Sequence, residues 1–396
     1  MDSNRLRAWW SRRQGLDNSI ASASPAGVLE RAGWARSVGS ANPYLSIFAR
    51  SGTARIDIGR SVAALEIHEL PAARNCTYVV PASDFALALK VGQGFTDGDM
   101  NVARKLGVTD REIEKLCAAV TAALKDKPMS PEEIRDAVGG AARNLGEAGK
   151  KKGLTTTLPV ALGKLQAWGE IRRVPNNGRL DQQRYGYVRW RPNPLDKFRL
   201  STEDAYTELA SRYFTWIGPA TVAEFQWFSG LGAKAARAAV EPLQLAPIEP
   251  GSDRMMHRAD LEELAGFNIP KHPEYALIGS LDSLVLLRRD LPALLDPADL
   301  KRSVRAEKGS AALGGLADLP SHAIVDRGRV VGLWEYDIEA SRIAWAAFVP
   351  KSEALKKAVA KTEAFVRDDL GDARSFSLDS PKSRAPRIAA LRAAAG

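Results

Sequence analysis

The chain has 396 residues, 45% hydrophobic and 26% charged, with a formal net charge of +9. That length supports two to four domains with real cores, and the balance is globular, not disordered. No apolar run is long enough to cross a bilayer, the N-terminal Arg5-Leu6-Arg7-Ala8-Trp9-Trp10 lacks a signal peptide's apolar core, and two cysteines, Cys76 and Cys117, exclude a disulfide framework. The expectation is a soluble, cytoplasmic protein in a reducing compartment.

In chain order, residues 1–105 read as a loose unit of helices followed by extended segments. Helical spacing covers 5–14, 24–32 and 42–50, the last beginning at Asn42-Pro43-Tyr44-Leu45. An extended run, Arg74-Asn75-Cys76-Thr77-Tyr78-Val79-Val80-Pro81, comes after 62–69.

Residues 106–200 carry the sharpest signals. Ile113, Leu116, Val120 and Leu124 share a helical face over 110–125, and Ser130-Pro131-Glu132-Glu133 has the form of a capping box that opens a second helix. A basic loop, Lys150-Lys151-Lys152-Gly153, leads to a third helix over 157–168. Its apolar face holds Leu158, Ala161, Leu162, Leu165 and Trp168; the other holds Pro159, Gly163, Gln166 and Ala167, small or polar residues that permit a close approach by a partner. Two extended segments, 171–174 and 184–190, flank the turn signal Pro175-Asn176-Asn177-Gly178. Three helices and a basic hairpin are the order of a winged helix, the helix-turn-helix variant whose hairpin also touches a duplex.

Residues 201–270 repeat the scheme with less charge: helices over 202–217, 222–228 and 233–240, then a degraded wing over 245–256. Three such units in tandem would present one long curved surface. From 271 to 396 the pattern becomes a small, β-rich α+β domain, with a strand at 275–278, a hairpin over 323–336, a further strand at 342–349, a basic loop holding Lys301, Arg302 and Arg305, and a closing helix over 352–369. The fold class is therefore α+β, mainly α: tandem winged-helix units with β-hairpin wings plus this C-terminal domain.

Charge is concentrated in one window. Residues 141–200 hold 13 Lys/Arg against 4 Asp/Glu, whereas all other residues together hold 43 of each. Counterion release from a phosphate backbone rewards such clustering. The residue types fit double-stranded DNA. Thr155, Thr156 and Thr157 stand at a helix N-terminus suited to a phosphate oxygen, and Lys164 flanks the small-residue face. Arg172, Arg173, Arg179, Arg184 and Arg191 lie on the wing or its edges. Asn176, Asn177, Gln182 and Gln183 suit the degenerate code of a minor groove.

Other chemistry finds little support. The four histidines fall in separate segments without zinc spacing, and no Gly-rich loop ends in Gly-Lys-Ser/Thr. Gly230-Leu231-Gly232-Ala233-Lys234 follows a helix where a nucleotide loop would follow a strand. Glu69 and Asp282 have no visible partner and read as surface or capping carboxylates. The Asp326-Arg327-Gly328-Arg329 tip reads first as a turn. No metal, cofactor or membrane is expected. Without a heptad seam the chain is expected to be a monomer, associated with the nucleoid when on DNA.

Several stretches resemble the winged-helix DNA-binding family that includes the AlkZ-like alkylation and crosslink-repair DNA glycosylases. They are Arg13-Gln14-Gly15-Leu16, Pro43-Tyr44-Leu45 with Ala49-Arg50, Arg74 to Pro81 with Asp84, Arg212-Tyr213, Gly218-Pro219-Ala220-Thr221 through Ser229-Gly230-Leu231, Leu281-Asp282 with Arg288-Arg289, and Asp326 through Gly332. The resemblance implies tandem winged helices in a C shape. It also implies, for active members, a Gln-x-Gln or Gln-x-Asp pair just before the Pro-Tyr-Leu segment, positioning water for attack on the glycosidic carbon. Residues 33–42 here contain neither glutamine nor carboxylate, and an ungapped match through Tyr44 puts Arg36 and Val38 at the pair's positions. Gln14 matches an upstream family position outside the pair. The resulting expectation is a DNA reader or regulator. The alternatives are a glycosylase excising alkylated or crosslinked purines through residues not identified, and a protein-assembly module with an incidental basic patch.

Overall fold

Three times the chain runs through the same order of elements, and each pass begins with a hydroxyl that caps a helix. Ser24 accepts from the Gly27 amide to start Pro25–Ala32, Thr109 from Glu112 to start Asp110–Ala123, and Ser201 from Asp204 to start Thr202–Ile217. The computed structural model describes residues 1–125, 127–307 and 309–395. After each first helix comes a short extended segment, two more helices and a hairpin, with a five-residue helix, Gly146–Lys150, inserted between those two in the middle pass. The helices are Asn42–Ser51 and Arg55–Ala63, Pro131–Val138 and Leu158–Ala167, and Val222–Ser229 and Ala233–Val240. The hairpins pair Ile67–Ala72 with Cys76–Pro81, Ile171–Pro175 with Tyr185–Arg189, and Ala246–Pro247 with Met255–Met256. In every pass the extended residue after the first helix pairs antiparallel with the last strand: Ala35 with Val79, Met129 with Tyr187, Ala220 with Met255.

Beyond these passes lies a four-stranded antiparallel sheet in the order Arg342–Ala347, Arg329–Asp337, His322–Asp326, Tyr275–Ile278. The helices Glu353–Ala364 and Pro381–Ala394 pack against it. Helix makes up about 49% of the molecule and strand about 16%, the mixed, mainly helical balance read from the sequence.

The cores cross these boundaries. One joins Trp34, Tyr78 and Phe85 to Leu209, Tyr213, Trp216 and Phe228, so the first pass and the third share an interior. A second joins Tyr44, Leu45 and Phe48 to Leu180, Trp334 and Phe365. A third gathers Trp9 and Trp10 with Leu284, Val330 and Leu391. The middle pass has its own interior of Leu116, Val120, Ile134, Leu158, Leu165 and Tyr187.

Several elements differ from the sequence expectation. The helix Ser3–Arg13 belongs with the C-terminal core, and the helix needed in its place is Arg55–Ala63. That segment holds Ile56, Ile58, Gly59 and Val62, poor helix formers with little pattern; burial of Ile58 and Val62, four apart, decides the matter. The 301–305 stretch is the start of a hairpin, Ser303–Ala306 with Gly309–Ala312, whose alternation is exposed against half-buried and so leaves no apolar signature. Trp168 is 51% exposed and sits outside the core face assigned to it.

Candidate nucleic-acid interface

The middle hairpin is stitched into its neighbours along most of its length. Arg173 lies over the Tyr185 ring at 4.9 Å and reaches the Glu69 carboxylate of the first pass at 3.6 Å. The loop 176–184 is held from both ends. Asn177 donates to Gln182 Oε1 at 2.8 Å, and Arg179 forks onto Asp181 and donates to the Leu370 carbonyl at 2.7 Å. Leu180 is completely buried, its amide donating to the Tyr44 hydroxyl at 2.9 Å, while Arg374 donates to the Asp181 carbonyl. A Cβ at Gly39 (φ +63°) would lie 2.6 Å from Gln183 Cγ.

This packing divides the expected DNA-binding residues. Thr157 is fully buried, with its hydroxyl accepting from the Arg143 amide at 3.0 Å, so Thr155 and Thr156 alone of the three reach the surface. Arg173, Arg179 and Arg191 are each tied to an acid, Glu69, Asp181 and Glu170 respectively. Arg184, Asn176, Asn177 and Gln183 are exposed, and Gln182 is half-buried. Lys164 and Arg172 are half-buried and have no ion pair among the described residues; burial alone pulls the Arg172 guanidinium below the usual arginine range. Lys151 and Lys152 are likewise exposed and unpaired among the described residues.

The small-residue face of Leu158–Ala167 is covered in part by the chain's own turn Gln93–Thr96, since a Cβ at Gly163 would fall 2.4 Å from the Thr96 methyl, yet Pro159, Gly163 and Gln166 still line open space. Its N-terminal end opens onto a groove of about 370 Å³ lined by Thr155, Thr156, Arg135, Arg173, Glu132 and Tyr187.

Across the sheet from Arg173 lie the positions where the resemblance puts a polar pair. Arg36 donates to the Thr77 carbonyl at 2.8 Å and lies 5.5 Å over the Tyr78 ring, and Val38 is half-buried. The strand alternates, so Ser37 points to the opposite face and donates to Glu69 Oε1 at 2.5 Å. Glu69 is thus a buried carboxylate shared by Ser37 and Arg173, not a surface one. Its partners come from far along the chain, which is why its neighbours in sequence reveal nothing.

The same holds for Asp282. It is fully buried, forks onto Arg50 with two 2.8 Å bonds, and also caps Ser283–Leu286. The Asp326–Arg329 turn is packed too: Arg327 pairs with Asp326, Arg329 with Asp296, and Gly328 lies against the Arg7 backbone. Among the described residues no group of three or more His, Cys, Asp or Glu is placed to hold a metal, and no helix is long and apolar enough to cross a membrane.

No curated protein matches the chain. Among solved structures, the DNA glycosylase AlkZ of Streptomyces sahachiroi is similar in fold, with a TM-score of 0.71 across 95% of this chain and 98% of that one, at 20% sequence identity. The family model described as DNA glycosylase AlkZ-like matches residues 35–377, most of the sequence, with the second and third passes and the positions around Arg36 inside it, and the chain therefore belongs to the AlkZ-like DNA glycosylase family.

Proposed function

We propose that the protein binds double-stranded DNA through winged-helix units at 1–105, 106–200 and 201–270, backed by the domain at 271–396, and reads the duplex without excising a base. Family membership supports DNA as the partner. The recurrence of three helices, a hairpin and a strand residue paired to its last strand supports the winged-helix assignment. Contact at 106–200 would fall to Thr155, Thr156, Lys164, Arg172 and Arg184, with the exposed Lys151 and Lys152 added.

The single observation that carries the non-catalytic reading is the segment 35–38, which begins with the strand Ala35–Arg36. Water attack on a glycosidic carbon needs a group that can accept a hydrogen bond or a proton from the water, and Arg36 and Val38 offer no side-chain acceptor. A gel-shift titration at two salt concentrations, followed by incubation with duplexes carrying alkylated or crosslinked purines, tests it. Contacts to about six phosphates would give a log–log salt slope near −5. Retained binding without abasic product is the expected result; abasic product above background overturns it.

A second reading, base excision, is favoured by one feature: the buried Glu69 carboxylate held by Ser37 on the strand where the pair would stand. If product forms, Glu69→Gln must abolish it for this reading to hold.

A further inference from the structure

We infer that Arg74 and Arg289, set over the indole of Trp227, form a second binding point for the DNA phosphate backbone, remote in sequence from the basic window. This rests on the DNA-binding reading above. The Arg74 guanidinium lies 4.0 Å from the Trp227 ring centroid and that of Arg289 4.8 Å. The three side chains come from the tip of the first hairpin, a helix of the third pass and the segment that follows the short helix Ser283–Leu286, between the strands Tyr275–Ile278 and His322–Asp326 of the C-terminal sheet.

The site is built at a cost in backbone conformation. Arg74 and Asn75 are consecutive left-handed residues at φ +55° and +51°, and Arg289 sits at φ +50°. Non-glycine residues rarely adopt this conformation, which crowds Cβ against the backbone. Gly230, itself at φ +77°, lets the hairpin tip come close, since a Cβ there would fall 2.9 Å from Arg74 Cα.

A purely structural tie would not be made this way. Two guanidinium ions over one indole repel each other, and Arg74 is exposed without an ion pair among the described residues. Arg289 has only Asp318, at 3.0 Å and itself half-exposed. The Arg289 Nε–H and the Trp227 indole N–H are buried without an acceptor, so the cluster is rich in donors. Stacking fixes a guanidinium plane while leaving its edge free, the geometry that takes two phosphate oxygens at once. An anion also relieves the repulsion.

The position links to the rest of the proposed surface. From Arg74 the strand Cys76–Pro81 passes Tyr78, which Arg36 covers; two residues beyond Ser37 the chain reaches Gly39, against which Gln183 of the middle hairpin lies.

The test uses the full-length protein and a plain duplex, with binding measured by fluorescence anisotropy across a salt series. The double variant Arg74→Gln, Arg289→Gln is expected to reduce the magnitude of the log–log slope by about 2, equally on unrelated sequences. Arg74→Lys, Arg289→Lys keeps the charge and is expected to keep the slope. Arg74→Gln alone, at an exposed tip, reads out even if the double variant unfolds, and should remove about half the effect. An unchanged slope with a lowered Tm means the cluster is only a tie and overturns the proposal, as does loss of slope in the lysine variant. A wild-type titration flat in salt overturns the DNA-binding reading along with it, so the two failures are distinct.

Discussion

His68 shows what burial does to a titratable group without partners. Its ring is 2% exposed, edge-on to Phe85 and Trp190, and neither nitrogen has a hydrogen-bond partner. Desolvation, then the nearby Arg172 and Arg173 charges, push its pKa down to about 3. The unfolded chain thus binds a proton between about pH 6.5 and 3 that the folded chain refuses, so stability is complete above 6.5 and falls as pH drops through that window. His322, also lowered by burial, acts in the same direction. Between pH 7 and pH 5, His68 alone should remove about 2 kcal/mol, and His68→Phe should flatten that part of the curve in urea titrations. Equal pH dependence in the two proteins would show that the ring is not kept neutral. Residue-level signals of this kind were not legible in sequence: Glu69, Asp282 and His68 owe their states to Ser37, Arg50 and Trp190, which no spacing rule joins to them.

At the scale of elements, the middle hairpin loop is the informative case. Pro175-Asn176-Asn177-Gly178 marked a turn, and the strands on either side appear nearly where alternation put them. What spacing could not convey is that the loop inserts Leu180 into the core shared by Tyr44 and Trp334. A lone leucine in a polar stretch carries no period, so only tertiary packing reveals it. Leu180→Ala should cost about 2–5 kcal/mol, because the site is enclosed by elements too rigid to collapse around it; a denaturant midpoint within error of the wild type would contradict that enclosure. Helices with a clear cap and apolar face, such as Asp110–Ala123 with Thr109 and Thr202–Ile217 with Ser201, were legible to within a residue or two. Arg55–Ala63, with neither, was not.

For the molecule as a whole, the order of elements could be read along the sequence but their interlocking could not. Trp34 of the first pass packs on Trp216 and Phe228 of the third, and its indole donates to Asp84, which also holds Arg212 across the same boundary. Units that share an interior cannot lose it separately. Heating should therefore unfold the first and third passes in one step, with the near-ultraviolet signal of Trp34 and Trp216 coinciding with a calorimetric transition. Two resolved transitions, one for each pass, would refute this.

The anchoring of loop 176–184 to Tyr44 on one side and to Leu370 and Arg374 on the other also bears on recognition. An arm fastened in this manner has no freedom left to surrender when a ligand arrives, so association forfeits little conformational entropy. If the loop meets a duplex as proposed, the burden of adjustment would pass to the DNA, and selectivity among targets would follow how readily each helix bends to a fixed template.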